Sequence, residues 1–147
     1  MDQKVREAIF DAVRKEPFAR AMQMELVKLE NGHSVVQMVY EPENMANIYA
    51  RAHGGAIYAL IDEAFETAGQ TDGTIAVALN VNVTYVTSPE PGQRLQAQAR
   101  RVSQTRKTAS YDIKVTDQNG QVIALCQALA FRTGKAIPFL QAHPSSP

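Results

Sequence analysis

One long segment of this chain reads as helix while most of what surrounds it reads as strand, and that contrast constrains the fold more than any other feature. Between His53 and Gly69, residues Ile57, Leu60, Ile61, Ala64, Phe65 and Ala68 fall on one broad apolar arc of a helical wheel. Asp62 and Glu66 share the opposite arc one turn apart, with Tyr58 one turn before Asp62. The segment opens on Gly54-Gly55, so another molecule can approach the free amides of the first turn, where the helix dipole is positive. Bare donors at the start of a helix and a carboxylate two turns later are two of the parts that acyl-transfer chemistry requires.

The remaining elements follow from periodicity. Val5, Ala8, Ile9, Ala12 and Val13 recur at helical spacing and predict a short amphipathic helix ending before Pro17, within residues 1–16. The stretch from Phe18 to Met24 fits no single pattern. Leu26 to Leu29, the turn signal Asn31-Gly32 and Ser34 to Tyr40 predict a hairpin, and Glu43 to Ala52 a loop delivering the chain to His53. After the helix comes the clearest strand. Ile75, Val77, Leu79, Val81, Val83 and Tyr85 are expected on one face, with Ala76, Ala78, Asn80, Asn82 and Thr84 on the other. Arg94 to Val102 and Ala109 to Val115 alternate about the basic turn Gln104-Thr105-Arg106-Lys107. Val122 to Phe131 is apolar on nearly both faces, as a central strand is. Residues 134–147, with Pro138, Pro144 and Pro147, predict an irregular tail.

The expected fold class is therefore α+β, one antiparallel sheet with a single long helix on its inner face, in one domain spanning residues 1–147. The apolar arc of that helix covers only one side of the sheet, so the arc of Asp62 and Glu66 must face a partner, a ligand or water. Lysine plus arginine balances aspartate plus glutamate at 15 each, which gives no electrostatic case for nucleic acid or an anionic membrane. No apolar run reaches the roughly 18 to 20 residues that span a bilayer, and the charged N-terminus lacks the apolar core of a secretory signal. Cys126 is the only cysteine, which excludes an internal disulfide and a cysteine-based metal cluster and fits a reducing, cytoplasmic setting.

The motif H-G-G-x-x-x-x-L-x-D, running from His53 to Asp62, together with Asn80-Val81-Asn82-Val83-Thr84-Tyr85 and the basic turn leading to Tyr111-Asp112, resembles the hotdog-fold acyl-CoA thioesterases. The likeness is to the phenylacetyl-CoA and hydroxybenzoyl-CoA thioesterase branch and runs from about Met24 to Arg132. It implies a sheet wrapped around the central helix and hydrolysis of an acyl-CoA thioester to a carboxylic acid and coenzyme A. No metal and no redox cofactor are implied. The Gly54 amide would polarise the carbonyl, and Asp62 would act as base on water or as nucleophile. Asn47 and His53 match positions that orient water and substrate in some members. Gly55, Tyr58, Glu66 and Ala78 fall where substrate would lie. Two departures bear on water activation: Ala78 replaces a serine or threonine of some relatives, and Glu66 a small or hydroxylated residue. The resemblance also implies a homo-oligomer, a dimer with shared active sites paired into a homotetramer.

Each residue also has a plainer reading. The glycine pair, taken alone, reads as close packing at a helix start, and Asp62 as part of a solvated face. Asn47 suits a turn, and His53 a hydrogen bond from the loop to the helix start. His33 and His143 read as exposed and idle, and Cys126 as a small core residue. Arg100, Arg101, Arg106 and Lys107 suit either a charge-guarded sheet edge or a landing patch for the phosphates of coenzyme A, with Arg106 the leading contact. Two other functions fit part of the pattern: a hotdog hydratase or dehydratase, and a non-catalytic acyl-CoA-binding module. The first needs a histidine acting with the acid, and none lies between Asp62 and the tail.

Overall fold

The structure, a computed structural model, describes residues 1–142. Asp2 opens it by capping a helix, its carboxylate accepting from the amides of Lys4 and Val5 at 2.7 and 3.3 Å. That helix, α1 (Gln3–Lys15), buries Val5, Ala8, Ile9 and Val13. Pro17 ends it as expected and then occupies the first turn of a second short helix, α2 (Pro17–Ala21), where a missing N–H costs nothing. The N-terminal segment is thus two helices where one is predicted.

The predicted hairpin is present as β1 (Glu25–Glu30) and β2 (His33–Val39). Its turn needs a glycine, because Gly32 has φ +65° and a Cβ there would lie 2.8 Å from Arg101 Nε. A single turn of helix, α3 (Pro42–Met45), interrupts the expected loop, which is then pinched by a bridge between Ala46 and Ala52. The long helix, α4 (Gly54–Gly69), follows. After it come β3 (Thr74–Tyr85), β4 (Arg94–Gln104), β5 (Thr108–Asp117) and β6 (Val122–Ala136). The irregular tail predicted from Gly134 is corrected: β6 extends to Ala136, and Pro138–Ala142 form a 3-10 helix whose Phe139 and Leu140 pack on the core. His143, Pro144 and Pro147 lie outside the described residues.

All six strands form one antiparallel sheet in the order β1-β2-β4-β5-β6-β3. The apolar arc of α4 lies on its inner face, where Leu60, Ile61, Ala64 and Ala68 are fully buried among Val36, Ala97, Ala99 and Val115. Phe65 meets the edge of Tyr111 at 5.2 Å between ring centroids. Cys126 is a buried core residue, as expected, and burial pushes its thiol up to about 11. His33 is not the idle exposed residue predicted; it is buried, with Nδ1 3.2 Å from Glu30. No helix among the described residues is long and apolar enough to cross a membrane.

The alternation predicted for β3 breaks midway. Its pairing with β6 shifts register between Thr74 and Ala76 and again between Ala78 and Asn80. The first puts the extra residues on β6, whereas the second places one extra residue on β3 and resets which face the following side chains occupy. Ile75, Ala76, Val81 and Val83 therefore pack against the core, whereas Val77 and Leu79 stand 46% and 57% exposed.

Candidate active site

At the start of α4 the two glycines play different parts. His53 is the N-cap: its Nδ1 accepts the Gly55 amide at 2.9 Å, so the neutral ring carries its hydrogen on Nε2. The Gly54 amide donates to no acceptor among the described residues. It is the free donor of the pair. The Gly54 carbonyl accepts from the Tyr85 hydroxyl at 3.0 Å, and a Cβ at this position would lie 3.2 Å from Tyr85 Cζ. Glycine is thus what lets the Tyr85 ring close over the helix start. Asn47 is committed to its own loop, with Oδ1 accepting from the amides of Tyr49 and Arg51 at 2.9 and 3.1 Å. The arrangement gives both His53 and Asn47 architectural work and leaves Ile48 and Tyr49 exposed at the loop tip.

Further along α4, a cavity of about 250 Å³ opens between the helix and the first half of β3. Asp62, Glu66 and Ala78 line it together, with Gly69, Gln70 and Ala76. Gly54, Gly55 and Tyr58 are not part of this wall. Gln70 closes one end, its amide bonded both ways to the Ala76 backbone at 3.3 Å. Burial raises the Asp62 carboxyl above its ordinary range. Glu66 is raised by burial first, then by the charges of Glu16 and Asp62. Tyr58, partly exposed, is likewise raised by burial and then by Asp62.

The sequence reading missed Glu63. It stands next to Asp62 in sequence and reads as a second polar residue beside it, yet it is only 3% exposed because α1 and the turn into α2 fold over it. Burial first, and the Glu16 and Glu66 carboxylates after it, push it up to about 8. The same half of α4 is tied down by hydroxyls: Thr67 Oγ1 lies 2.6 Å from Ser34 Oγ, and Thr71 Oγ1 accepts from the Gly32 amide at 2.9 Å.

The basic patch is smaller than predicted. Arg101 is occupied by Asp72 at 3.1 Å and Asn31 at 2.7 Å, while Arg132 shares Asp72 at 2.8 Å. Lys107 holds its ammonium 5.5 Å from the centroid of the Phe131 ring, and Arg106 is exposed at the turn tip. Phe131 pairs with Val77 and Tyr85 with Ala124, at opposite ends of the β3–β6 ladder. Within one chain the Arg106–Lys107 turn therefore lies at the far end of the sheet from Gly54.

Comparison with known proteins gives this geometry a context. Residues 49–124 match the family model described as the thioesterase superfamily. A putative esterase of Archaeoglobus fulgidus is 33% identical over 115 residues, 77% of this chain and 73% of that protein. The Escherichia coli acyl-coenzyme A thioesterase PaaI is 29% identical over 81% of this chain and 84% of its own. The solved structure of E. coli PaaI superposes with a TM-score of 0.86 over 91% of this chain and 96% of that one, at 27% identity. A Streptococcus mutans protein solved with bound acetyl-CoA has a TM-score of 0.73 at 32% identity, over 78% of this chain and 91% of its own.

Proposed function

The chain belongs to the thioesterase superfamily, in its PaaI-like branch, and from that premise we propose that it hydrolyses an acyl-CoA thioester to a free carboxylic acid and coenzyme A. The observation that carries the reading is the unengaged Gly54 amide at the head of the helix that also holds Asp62 in a desolvated cavity. The Gly54 N–H, at the positive end of the α4 dipole, receives the thioester oxygen as it becomes an oxyanion. Asp62 takes a proton from the attacking water, or attacks the carbonyl itself, and burial makes it the better proton acceptor. With water as nucleophile, the carbon–sulfur bond breaks and the coenzyme A thiolate leaves with the proton taken up by Asp62. With Asp62 as nucleophile, the thiolate leaves an anhydride on Asp62 that a water then cleaves to the free acid. Ala78 offers no hydroxyl to the water, so Glu66, across the same cavity, is assigned to hold it.

One helix does not bring these parts to one carbon. Gly54 and Asp62 are eight residues apart, roughly 12 Å along the axis, whereas an oxyanion needs its donor at about 3 Å. Two copies related by a two-fold axis, with α4 antiparallel to α4, would set Gly54 of one beside Asp62 of the other. The free edge of β3, with Val77 and Leu79 exposed, supports pairing of two chains there. Such pairing would also carry the Arg106–Lys107 turn of one chain toward the Gly54 end of the other, within reach of coenzyme A phosphates. The dimers would pair further into a tetramer. The direct test follows thiol release from acyl-CoA esters with a thiol-trapping reagent, beginning with short, long and aryl acyl groups. Release by the wild type and none by Asp62→Asn is expected. Tight binding of the esters without release would make the protein a binding module instead.

A further inference from the structure

We propose that Glu16, Glu63 and Glu66 form an all-oxygen site for one divalent cation, of the Mg²⁺, Mn²⁺ or Ca²⁺ class, that clamps α1 onto α4. This site shares Glu66 with the chemistry assigned above, but its cation binding is read without turnover and through Glu63 and Glu16, which that chemistry does not use. Each of the three residues offers a carboxylate oxygen, and these oxygens all lie within 4.8 Å of one another. They come from two directions. Glu16 ends α1, while Glu63 and Glu66 sit one turn apart on α4. A cavity of about 290 Å³ lies between the two helices, with Ile9, Val13 and Phe139 forming its apolar side.

The second observation concerns Glu63 alone. This side chain is 97% buried, being 3% exposed, and its Oε1 meets no hydrogen-bond partner. A buried carboxylate oxygen with nothing to accept from is costly, and native structures rarely leave one so. Lys15 lines the same cavity, yet no lysine, arginine or histidine among the described residues forms an ion pair with any of the three glutamates. Asp62, the residue before Glu63 on α4, adds further negative potential. Three carboxylates converging on a cavity without a counter-charge are the donor set that hard cations take, with water filling the remaining coordination positions. The cation would neutralise the cluster, satisfy Oε1 and join the N-terminal helix to the central one.

The competing occupant is a proton held by Glu63. Calorimetry and thermal unfolding on chelator-treated protein, with MgCl₂, MnCl₂ and CaCl₂ added in turn, separate the two. The expected result is saturable binding of one ion per chain by at least one of these metals, with an unfolding midpoint that rises by several degrees. Glu63→Gln should weaken that binding by about 10-fold or more, in the range seen when a metal site loses a supporting group. Glu16→Gln, which lies on a partly exposed residue, gives the same readout should Glu63→Gln fold poorly. Absence of saturable binding up to about 1 mM, the weak end for protein calcium sites, would overturn the proposal. So would binding that neither substitution weakens.

Discussion

The two edges of the sheet are built in opposite ways. β1 is six residues long, has a register shift, and carries Glu25, Lys28 and Glu30 on exposed positions, with Lys28 and Glu30 paired at 3.2 Å. α1 packs against it. β3 is twelve residues long, holds no charged residue, and leaves Val77, Leu79 and Tyr85 exposed beside an unpaired edge. Charge, brevity and a covering helix are the means by which a sheet edge is kept from joining another chain, and β1 has all three. β3 has none. The difference teaches where the molecule is finished and where it is not, and the unfinished edge borders the Asp62 cavity.

The largest effect should come from the chemistry next to that open edge. Asp62→Asn keeps the shape of the side chain and removes its basicity, so kcat should fall about 100- to 10,000-fold, the usual contribution of a general base. A variant that keeps a tenth of wild-type turnover would remove Asp62 from the reaction. Breaking the edge itself comes next. Val77→Lys with Leu79→Lys gives β3 the charges that β1 already has. By sedimentation the chains should separate, and activity should fall roughly 100-fold as each site loses its donor. Charging β1 further, by Val27→Lys, should leave both properties alone.

Smaller effects sharpen the contrast between the anchored and the open parts of α4. Thr67→Val leaves Ser34 Oγ without its buried partner, and should cost about 1–3 kcal/mol in denaturant unfolding. Arg106→Ala should raise KM for coenzyme A esters only a few-fold, since one exposed charge contributes about 0.2–1 kcal/mol. Pantetheine esters, which lack the nucleotide phosphates, should be unaffected. Equal losses on both substrates would make Arg106 structural.

What the sequence disclosed and what it concealed divides along the range of the interactions. The buried arc of α4 and the hairpin at Asn31-Gly32 rest on neighbours in sequence, and both are present. The register shift near Leu79 depends on how β3 meets β6, fifty residues on, so alternation alone could not reveal it. Glu63 looks like any polar residue beside Asp62 until α1 closes over it. Arg101 belongs to a basic run by composition, yet Asp72, in the turn between α4 and β3, takes its charge. The free Gly54 amide was implied by the glycine pair, but only the His53 cap decides which of the two glycines keeps its donor.

The central claim is that Gly54 of one chain and Asp62 of another make one site, and mixing two inactive variants tests it most directly. Asp62→Asn removes the acid, and Gly54→Val drives a side chain toward the Tyr85 ring at the oxyanion end. If the two chains reassort at random, half the dimers are mixed, and each mixed dimer holds one intact site of two. Co-expression, with heterodimers confirmed by mass, should then restore about a quarter of wild-type activity, as two-fold symmetry requires. Mixed dimers as inactive as either parent would contradict the shared site.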